Sequence, residues 1–339
     1  MKAIRFLLFP FALLYDLITS LRNLFYDKGI FKSTAFDLPV IAVGNLNVGG
    51  TGKSPQIEYL IRLLQDQYKV AVLSRGYKRK TEGFVLIDSN HSAADVGDEP
   101  LQFFKKFSKI AVAVDAKRVN GIQQLQTNVN PDVILLDDAF QHRKVKAGFY
   151  VLLTKYGDLY TNDFILPTGY LRESRRGAKR ANVIVVTKCP QDLSEAEKQQ
   201  IQQKLKANKD QSVFFSTISY YPQTKGSQQV TLENLKNFEI VLVTGIANPN
   251  PLLSFLDRQQ CKVQHLKYPD HHNFSDQEIQ KIQQTYEAIE SSNKILLTTE
   301  KDYMRLSDKI DDLSYIEIEA QFLSDGNNFD QLILQQVEL

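Results

Sequence analysis

Apolar, β-branched runs recur along this chain at residues 40–43, 70–73, 110–114, 133–136, 150–153 and 183–187, with helical or polar stretches between them. Short buried strands alternating with helices predict an α/β fold, a mostly parallel sheet covered on both faces. Ligands of such sheets collect at the carboxyl ends of the strands. The segments ending in Ser74-Arg75-Gly76, Asp137-Asp138 and Thr187-Lys188 are therefore expected on one functional edge. A polar helix follows at 194–206, and the pattern then changes. Residues 212–220 read as a strand and 222–226 as a turn, before strand 240–243, helix 251–257, strand 263–268, helix 275–291 and strand 295–298. The expected organisation is a helix over 1–28, a first α/β domain over 29–211, an extended β linker over 212–237 and a second, smaller α/β domain over 238–339. A last helix near 329–337 suits packing on either domain.

The N-terminus breaks this pattern. Residues 6–15 are apolar throughout, with Pro10 inside the run and Arg5, Asp16 and Arg22 bracketing it. A spanning helix takes about 20 apolar residues, so the run reads as too short to cross a bilayer. No small-x-small cleavage site follows it. Leu17, Ile18, Leu21, Leu24 and Phe25 continue the apolar positions, with Asp16, Thr19, Ser20, Arg22 and Asn23 between them. That is an amphipathic helix, suited either to a membrane interface or to packing on its own domain. Composition changes the picture little. At 339 residues, 43% of them hydrophobic, the chain can bury a large core and two domains. A net charge of +2 sets up no global field for nucleic acid. Cys189 and Cys261 stand far apart and outside any metal-ligand spacing, which fits a reducing cytosol and argues against a disulfide scaffold.

Candidate chemistry begins after the 40–43 run. Gly44-Asn45-Leu46-Asn47-Val48-Gly49-Gly50-Thr51-Gly52-Lys53-Ser54 joins that strand to a helical stretch at 57–64. Strand, glycine-rich loop, Gly-Lys-Ser and helix is the order of a phosphate-binding P-loop, whose N–H groups and helix N-terminus converge on a phosphate. The predicted nucleotide site is Asn47, Val48, Gly49, Gly50, Thr51, Gly52, Lys53 and Ser54, with Lys53 on the β/γ-phosphates and Ser54 on Mg²⁺. Asn47 stands where the strict pattern has Gly, and Asn is the next-best residue at positive φ. The run 133–136, ending in Asp137-Asp138, has the form of a Walker B strand whose tip acid holds the cation. Spacing does not separate the two acids.

Other clusters admit plainer readings. Gly97-Asp98-Glu99-Pro100 puts two acids before a helix, which alone is an ordinary N-terminal cap. Asp270-His271-His272 is a loop histidine pair or a metal site, and the earlier strands lack the Asp-rich motifs of an Asp-His-His metallophosphoesterase. The basic runs at 74–80 and 172–180 are solvated faces unless a phosphate lies nearby, where an Arg such as Arg172 would meet phosphoryl oxygens.

Eight motifs occur in one order: the 44–55 loop, Leu73-Ser-Arg-Gly-Tyr77, Gly97-Asp-Glu-Pro100, Asp137-Asp-Ala-Phe-Gln-His-Arg143, Leu166-Pro-Thr-Gly-Tyr-Leu-Arg-Glu173, Val243-Thr-Gly-Ile-Ala247, Asp270-His-His272 and Thr299-Glu-Lys-Asp302. That order closely resembles the tetraacyldisaccharide 4'-kinases, the lipid A 4'-kinases of Gram-negative bacteria, from the N-terminal helix to about residue 305. Ser54 stands where that family often has Thr, which keeps the hydroxyl. The resemblance implies a P-loop NTPase-like fold and ATP-dependent phosphorylation of the 4'-hydroxyl of tetraacyldisaccharide 1-phosphate, giving lipid IVA. It also implies a peripheral enzyme at the cytoplasmic leaflet of the inner membrane, with ATP, Mg²⁺ and the acylated disaccharide as partners and no nucleic acid. Lys53 and Arg172 would neutralise the phosphoryl charge, with Ser54, Asp138, Asp137 and Glu99 on the metal side. Asp98 would be the base, with His271 from the other domain orienting it and raising its proton affinity, so that the site completes on domain closure. Glu300 and Asp302 are expected near the nucleotide or the hinge, and His272 has no assigned role. The alternative is a regulatory or maturation GTPase. Such a site reads guanine with Asn/Thr-Lys-x-Asp, and here Thr187-Lys188-Cys189-Pro190 has Pro in place of that Asp. A membrane-binding module governed by nucleotide would need no base.

Overall fold

The strands are β1 (Val40–Asn45), β2 (Val70–Ser74), β3 (Val85–Leu86), β4 (Ala111–Val114), β5 (Val133–Leu136), β6 (Phe149–Lys155), β7 (Val183–Thr187), β8 (Ser212–Tyr220), β9 (Lys225–Gly226), β10 (Glu239–Thr244), β11 (Lys262–Lys267), β12 (Lys294–Thr299), β13 (Leu313–Ile316) and β14 (Ile318–Phe322). This computed structural model describes residues 5–338, and the chain forms two compact units. One holds the residues up to 90, 103–218 and from 320 onward; the other holds 91–102 and 219–319.

In the first unit a nine-stranded sheet has the order β14-β8-β7-β6-β1-β5-β2-β4-β3. The pairs β1–β5, β1–β6, β2–β4, β2–β5, β6–β7 and β7–β8 are parallel, and β3 joins β4 antiparallel. Every residue of β1, β2, β5 and β7 is buried, as expected of parallel strands covered on both faces. Parallel pairing also puts the ends of β1, β2, β5, β6 and β7 on one edge. Gly44 is needed near that edge, because a Cβ there would come within 2.6 Å of Phe140 Cβ and 2.9 Å of its nitrogen.

The C-terminal helix Gly326–Val337, placed by the sequence reading within a domain over 238–339, belongs to the first unit. Burial explains this. Phe329 is fully buried against Phe214 and Phe322, and Asp330 accepts a 2.8 Å hydrogen bond from Tyr59. Nor is 212–237 a free linker, since β8 is a strand of the large sheet and β9 a strand of the small one. The second unit has the strand order β11-β10-β12-β13-β9, parallel except for β9. Ile282 and Leu306 are buried against its central strands β10 and β12. Segment 91–102, expected in the P-loop domain, belongs to this second unit.

At the N-terminus, the helical segment Phe6–Asp27 runs for 22 residues and is long and apolar enough to cross a membrane by length and composition. The uninterrupted apolar run is short, as read, but the helix continues past it, and the polar residues after Tyr15 fall on one stripe and leave the apolar face continuous. That stripe, Ala12, Tyr15, Thr19, Arg22 and Asn23, recurs every three or four positions and faces the first unit. Phe11, Leu13, Leu14, Leu17, Ile18, Leu21 and Leu24 are exposed, with Leu17 at 56%.

Candidate active site

The P-loop follows β1 directly and ends on Gly52, whose φ of +85° precedes the helix Lys53–Leu64. Gly49, at φ +124°, makes the sharp turn within it. The loop is braced from two sides. Thr187 Oγ1, at the tip of β7, donates to Thr51 O at 2.7 Å, and Lys188 Nζ donates to Gly50 O at 2.8 Å. From the other side Val48 N donates to Tyr170 O at 2.7 Å. Asn47 does not take the positive φ anticipated for it. It pairs across to Leu171 and donates to Asp163 Oδ2 at 2.8 Å, so its amide, rather than its backbone tolerance, is used.

Asp137 and Asp138, which spacing left equivalent, are separated by their surroundings. Asp137 is buried and accepts from Ser74 Oγ at 2.9 Å, while the buried Arg118 donates to its carbonyl at 3.1 Å. Asp138 turns out at φ +46° and faces cations. Arg172 grips it through two nitrogens at 2.8 and 3.2 Å, and Lys53 Nζ lies 3.7 Å away. Burial works to raise the Asp138 carboxyl, but Lys53, Arg172 and Arg118 together hold it below the usual range. Arg172 also donates to Asn45 O and Oδ1, which fixes the fork against the tip of β1. Nearby, burial first and then the charges of Arg118, Arg75, Arg22 and Lys144 push His142 down to about 4.

In the second unit, Asp98 opens the helix Asp98–Lys106. Arg305 Nε donates to Asp98 Oδ1 at 3.0 Å and its Nη2 to Oδ2, while His271 Nδ1 lies 2.9 Å from Oδ2. Asp98 and His271 thus share one unit, where the sequence reading had assigned them to two. Burial raises the Asp98 carboxyl, yet His271 and Arg305 outweigh it and bring it down to about 2. The expectation that His271 raises its proton affinity is therefore overturned: two donors favour the charged form. His271 sits at φ +57°, held by its N–H on Gly245 O at 3.0 Å.

Asp302, expected near nucleotide or hinge, is fully buried within the second unit. It accepts from Gly245 N at 2.8 Å and pairs with Arg305 at 3.2 Å, so it props both partners of Asp98. Glu300 is buried at the start of that same helix, Glu300–Leu306. Glu99, expected on the metal side, lies in the second unit and is ion-paired with Lys301. His272 is bonded to Glu278 at 2.9 Å and stacked on Tyr268. Arg305 escaped the sequence reading; its one signal was the i,i+3 spacing from Asp302 on a helix. Glu173, buried beside Arg172, closes one of the quoted motifs but was given no role there.

A family model described as Tetraacyldisaccharide-1-P 4'-kinase matches residues 4–338. A Tetraacyldisaccharide 4'-kinase of Flavobacterium johnsoniae is 54% identical over 342 residues, covering 100% of this chain and 98% of its own length. Its counterpart in Bacteroides thetaiotaomicron is 43% identical, over 88% of this chain and 82% of its own. Among solved structures, LpxK from Aquifex aeolicus in complex with ATP superposes with a TM-score of 0.80 at 29% identity, covering 98% of this chain and 99% of that one.

Proposed function

The chain belongs to the Tetraacyldisaccharide-1-P 4'-kinase family, and we propose specific roles for its residues in that ATP-dependent reaction of lipid A biosynthesis. The observation that carries the assignment is the convergence of Lys53 and the Arg172 fork on Asp138 beside a braced P-loop. The loop amides and the N-terminus of the helix Lys53–Leu64 receive the ATP phosphates. Lys53 and Arg172 leave Asp138 to meet the transferring phosphoryl group, whose charge spreads over its equatorial oxygens. Ser54, Asp138 and Asp137 would supply the hard oxygen donors that a divalent cation of the Mg²⁺ type takes. Such an ion, held by those residues, would supply positive charge against the phosphates.

Asp98 orients the 4'-hydroxyl of the acylated disaccharide 1-phosphate and takes its proton as the phosphoryl group arrives. At about 2 it is a weak base but an ionised acceptor across the physiological range. That suits a loose transition state, in which the proton leaves late. Arg305 and His271 keep it charged and aimed. The GTPase alternative is not favoured, since Pro190 leaves no carboxylate for guanine.

The exposed apolar face of the N-terminal helix supports a second assignment, to the interface of the bilayer that holds the four-chain substrate. The helix lies along the surface rather than across it, because its polar stripe is hydrogen-bonded to the first unit. Transfer of ³²P from γ-labelled ATP to disaccharide 1-phosphate in detergent micelles tests the chemistry. A labelled bis-phosphorylated lipid supports it, and nucleotide hydrolysis without lipid label sinks it. Co-sedimentation with anionic vesicles, compared for wild type and Leu17→Ser/Leu21→Ser, tests the interface; equal binding of both rules it out.

A further inference from the structure

Glu173 has no part in the reaction as assigned above, yet its carboxylate is 1% exposed and ringed by donors. Oε2 accepts from Asn23 Nδ2, on the N-terminal helix, at 2.6 Å. Oε1 accepts from Arg180 Nη2 at 2.7 Å and from Gln141 Nε2 at 3.1 Å. Gln141 Nε2 also donates to Asn45 O at 2.8 Å, the same carbonyl that accepts from Arg172 at 3.1 Å. The helix reaches this group twice more: Arg22 donates to Gln141 O at 2.8 Å, and Tyr15 donates to Arg172 O at 3.1 Å. Three polar side chains of one helix therefore land on Arg172 itself and on Glu173 and Gln141 behind its fork. The node is closely walled, since a Cβ on Gly177 would stand 2.8 Å from Glu173 Oε2.

We propose that Glu173 is a positioning residue that couples the seating of the N-terminal helix to the placement of Arg172. It rests on the reading of Arg172 as the phosphoryl-contacting arginine and of the helix as the lipid-facing element. One carboxylate oxygen binds the helix, and the other binds the glutamine and arginine behind the fork. A helix lifted from its seat removes a donor from Glu173, another from the Gln141 carbonyl and a third from the Arg172 carbonyl. Arg172 then loses the bond on its carbonyl and the backing of Gln141 and Glu173, while its fork keeps its partners Asn45 and Asp138. Turnover is thereby tied to a helix docked with its apolar face outward, which is the arrangement at a lipid surface.

The test measures kcat and both KM values of the full-length protein in the micelle assay for Glu173→Gln, Asn23→Ala, their double variant and Arg172→Lys. An amide at 173 takes away the charge that faces Arg180, and it meets a donor on the helix side unless the Asn23 amide turns its own oxygen toward it. Glu173→Gln is expected to lower kcat by about 10- to 100-fold, as a small misplacement near the chemistry does, with KM for ATP little changed. Asn23→Ala is expected to lower kcat less, and the double variant to be no worse than Glu173→Gln alone. Wild-type kcat in Glu173→Gln overturns the coupling, as does a loss confined to the lipid KM, which would mean simple anchoring. Multiplying effects in the double variant overturn it too. Where circular dichroism shows Glu173→Gln to be unfolded, Asn23→Ala and Tyr15→Phe decide: reduced kcat supports the proposal and wild-type kcat overturns it. Arg172→Lys at wild-type kcat would remove the underlying role of Arg172. A crippled Arg172→Lys beside normal Glu173 and Asn23 variants would remove the coupling alone.

Discussion

Asp138 in the first unit and Asp98 in the second are held in much the same way. Each meets the two nitrogens of an arginine and a second nitrogen base, and each is kept below the usual carboxylate range. The second partner distinguishes them. Lys53 touches Asp138 from 3.7 Å at the end of a flexible four-carbon stem, over a carboxylate that is 35% exposed. His271 is pinned through its own backbone to Gly245, and the Asp98 side chain is only 15% exposed. Arg305 is tied behind by the fully buried Asp302. The first arrangement is one that incoming phosphates can take apart; the second is a fixed frame. On the roles proposed above, similar electrostatics serve as a placeholder in one unit and as scaffolding in the other.

The largest effect should come from removing the framed carboxylate. Asp98→Ala is expected to lower kcat by at least about a hundredfold, within the range for losing a general base, while ATP binding measured by calorimetry stays intact. A variant that loses ATP binding equally would erase the distinction between the units. Arg172→Lys keeps the charge but not the fork, and a loss of kcat of about tenfold or more is expected because bidentate contacts are not replaced by a point charge. Arg305→Met sharpens the comparison through pH. Arg305 helps hold Asp98 down at about 2, so without it the carboxyl rises toward its ordinary 3.8 and the acid limb of kcat moves to higher pH. The same shift links to folding: the stability Asp98 gains is complete above its unfolded value and is lost as pH falls toward 2. The stability gap between wild type and Arg305→Met, read from urea titrations, should therefore narrow on acidification. The smallest effect is expected for His272→Ala, whose imidazole serves Glu278 and Tyr268; kcat should stay within about twofold, with a modest fall in Tm.

The two regions also differ in how far the sequence reveals them. Strand, loop and helix are contiguous around Lys53, so local spacing alone pointed to a phosphate site. Asp137 and Asp138 were found the same way, at the end of a buried run, but only surroundings 19 or more residues distant separated them. Asp98 and His271 are 173 positions apart, and nothing local pairs them; family resemblance did. Arg305, 207 positions from Asp98, was invisible, and the direction of the Asp98 shift was anticipated wrongly because His271 itself, before Arg305, favours the charged form. The helix at the N-terminus showed its apolar and polar positions at once. That its polar stripe would carry hydrogen bonds to Gln141, Arg172 and Glu173 depends on tertiary contacts that periodicity does not encode.

The exposed leucines and phenylalanines of that helix also govern how the purified protein behaves as a colloid. Leu7 at 78% and Phe11 at 63% exposure are among the eleven large apolar side chains of residues 6–27 that stand exposed. In plain buffer such a patch is sticky, and copies of the molecule should cluster through it. Sedimentation velocity should show polydisperse species without detergent and a single narrow boundary above its critical micelle concentration.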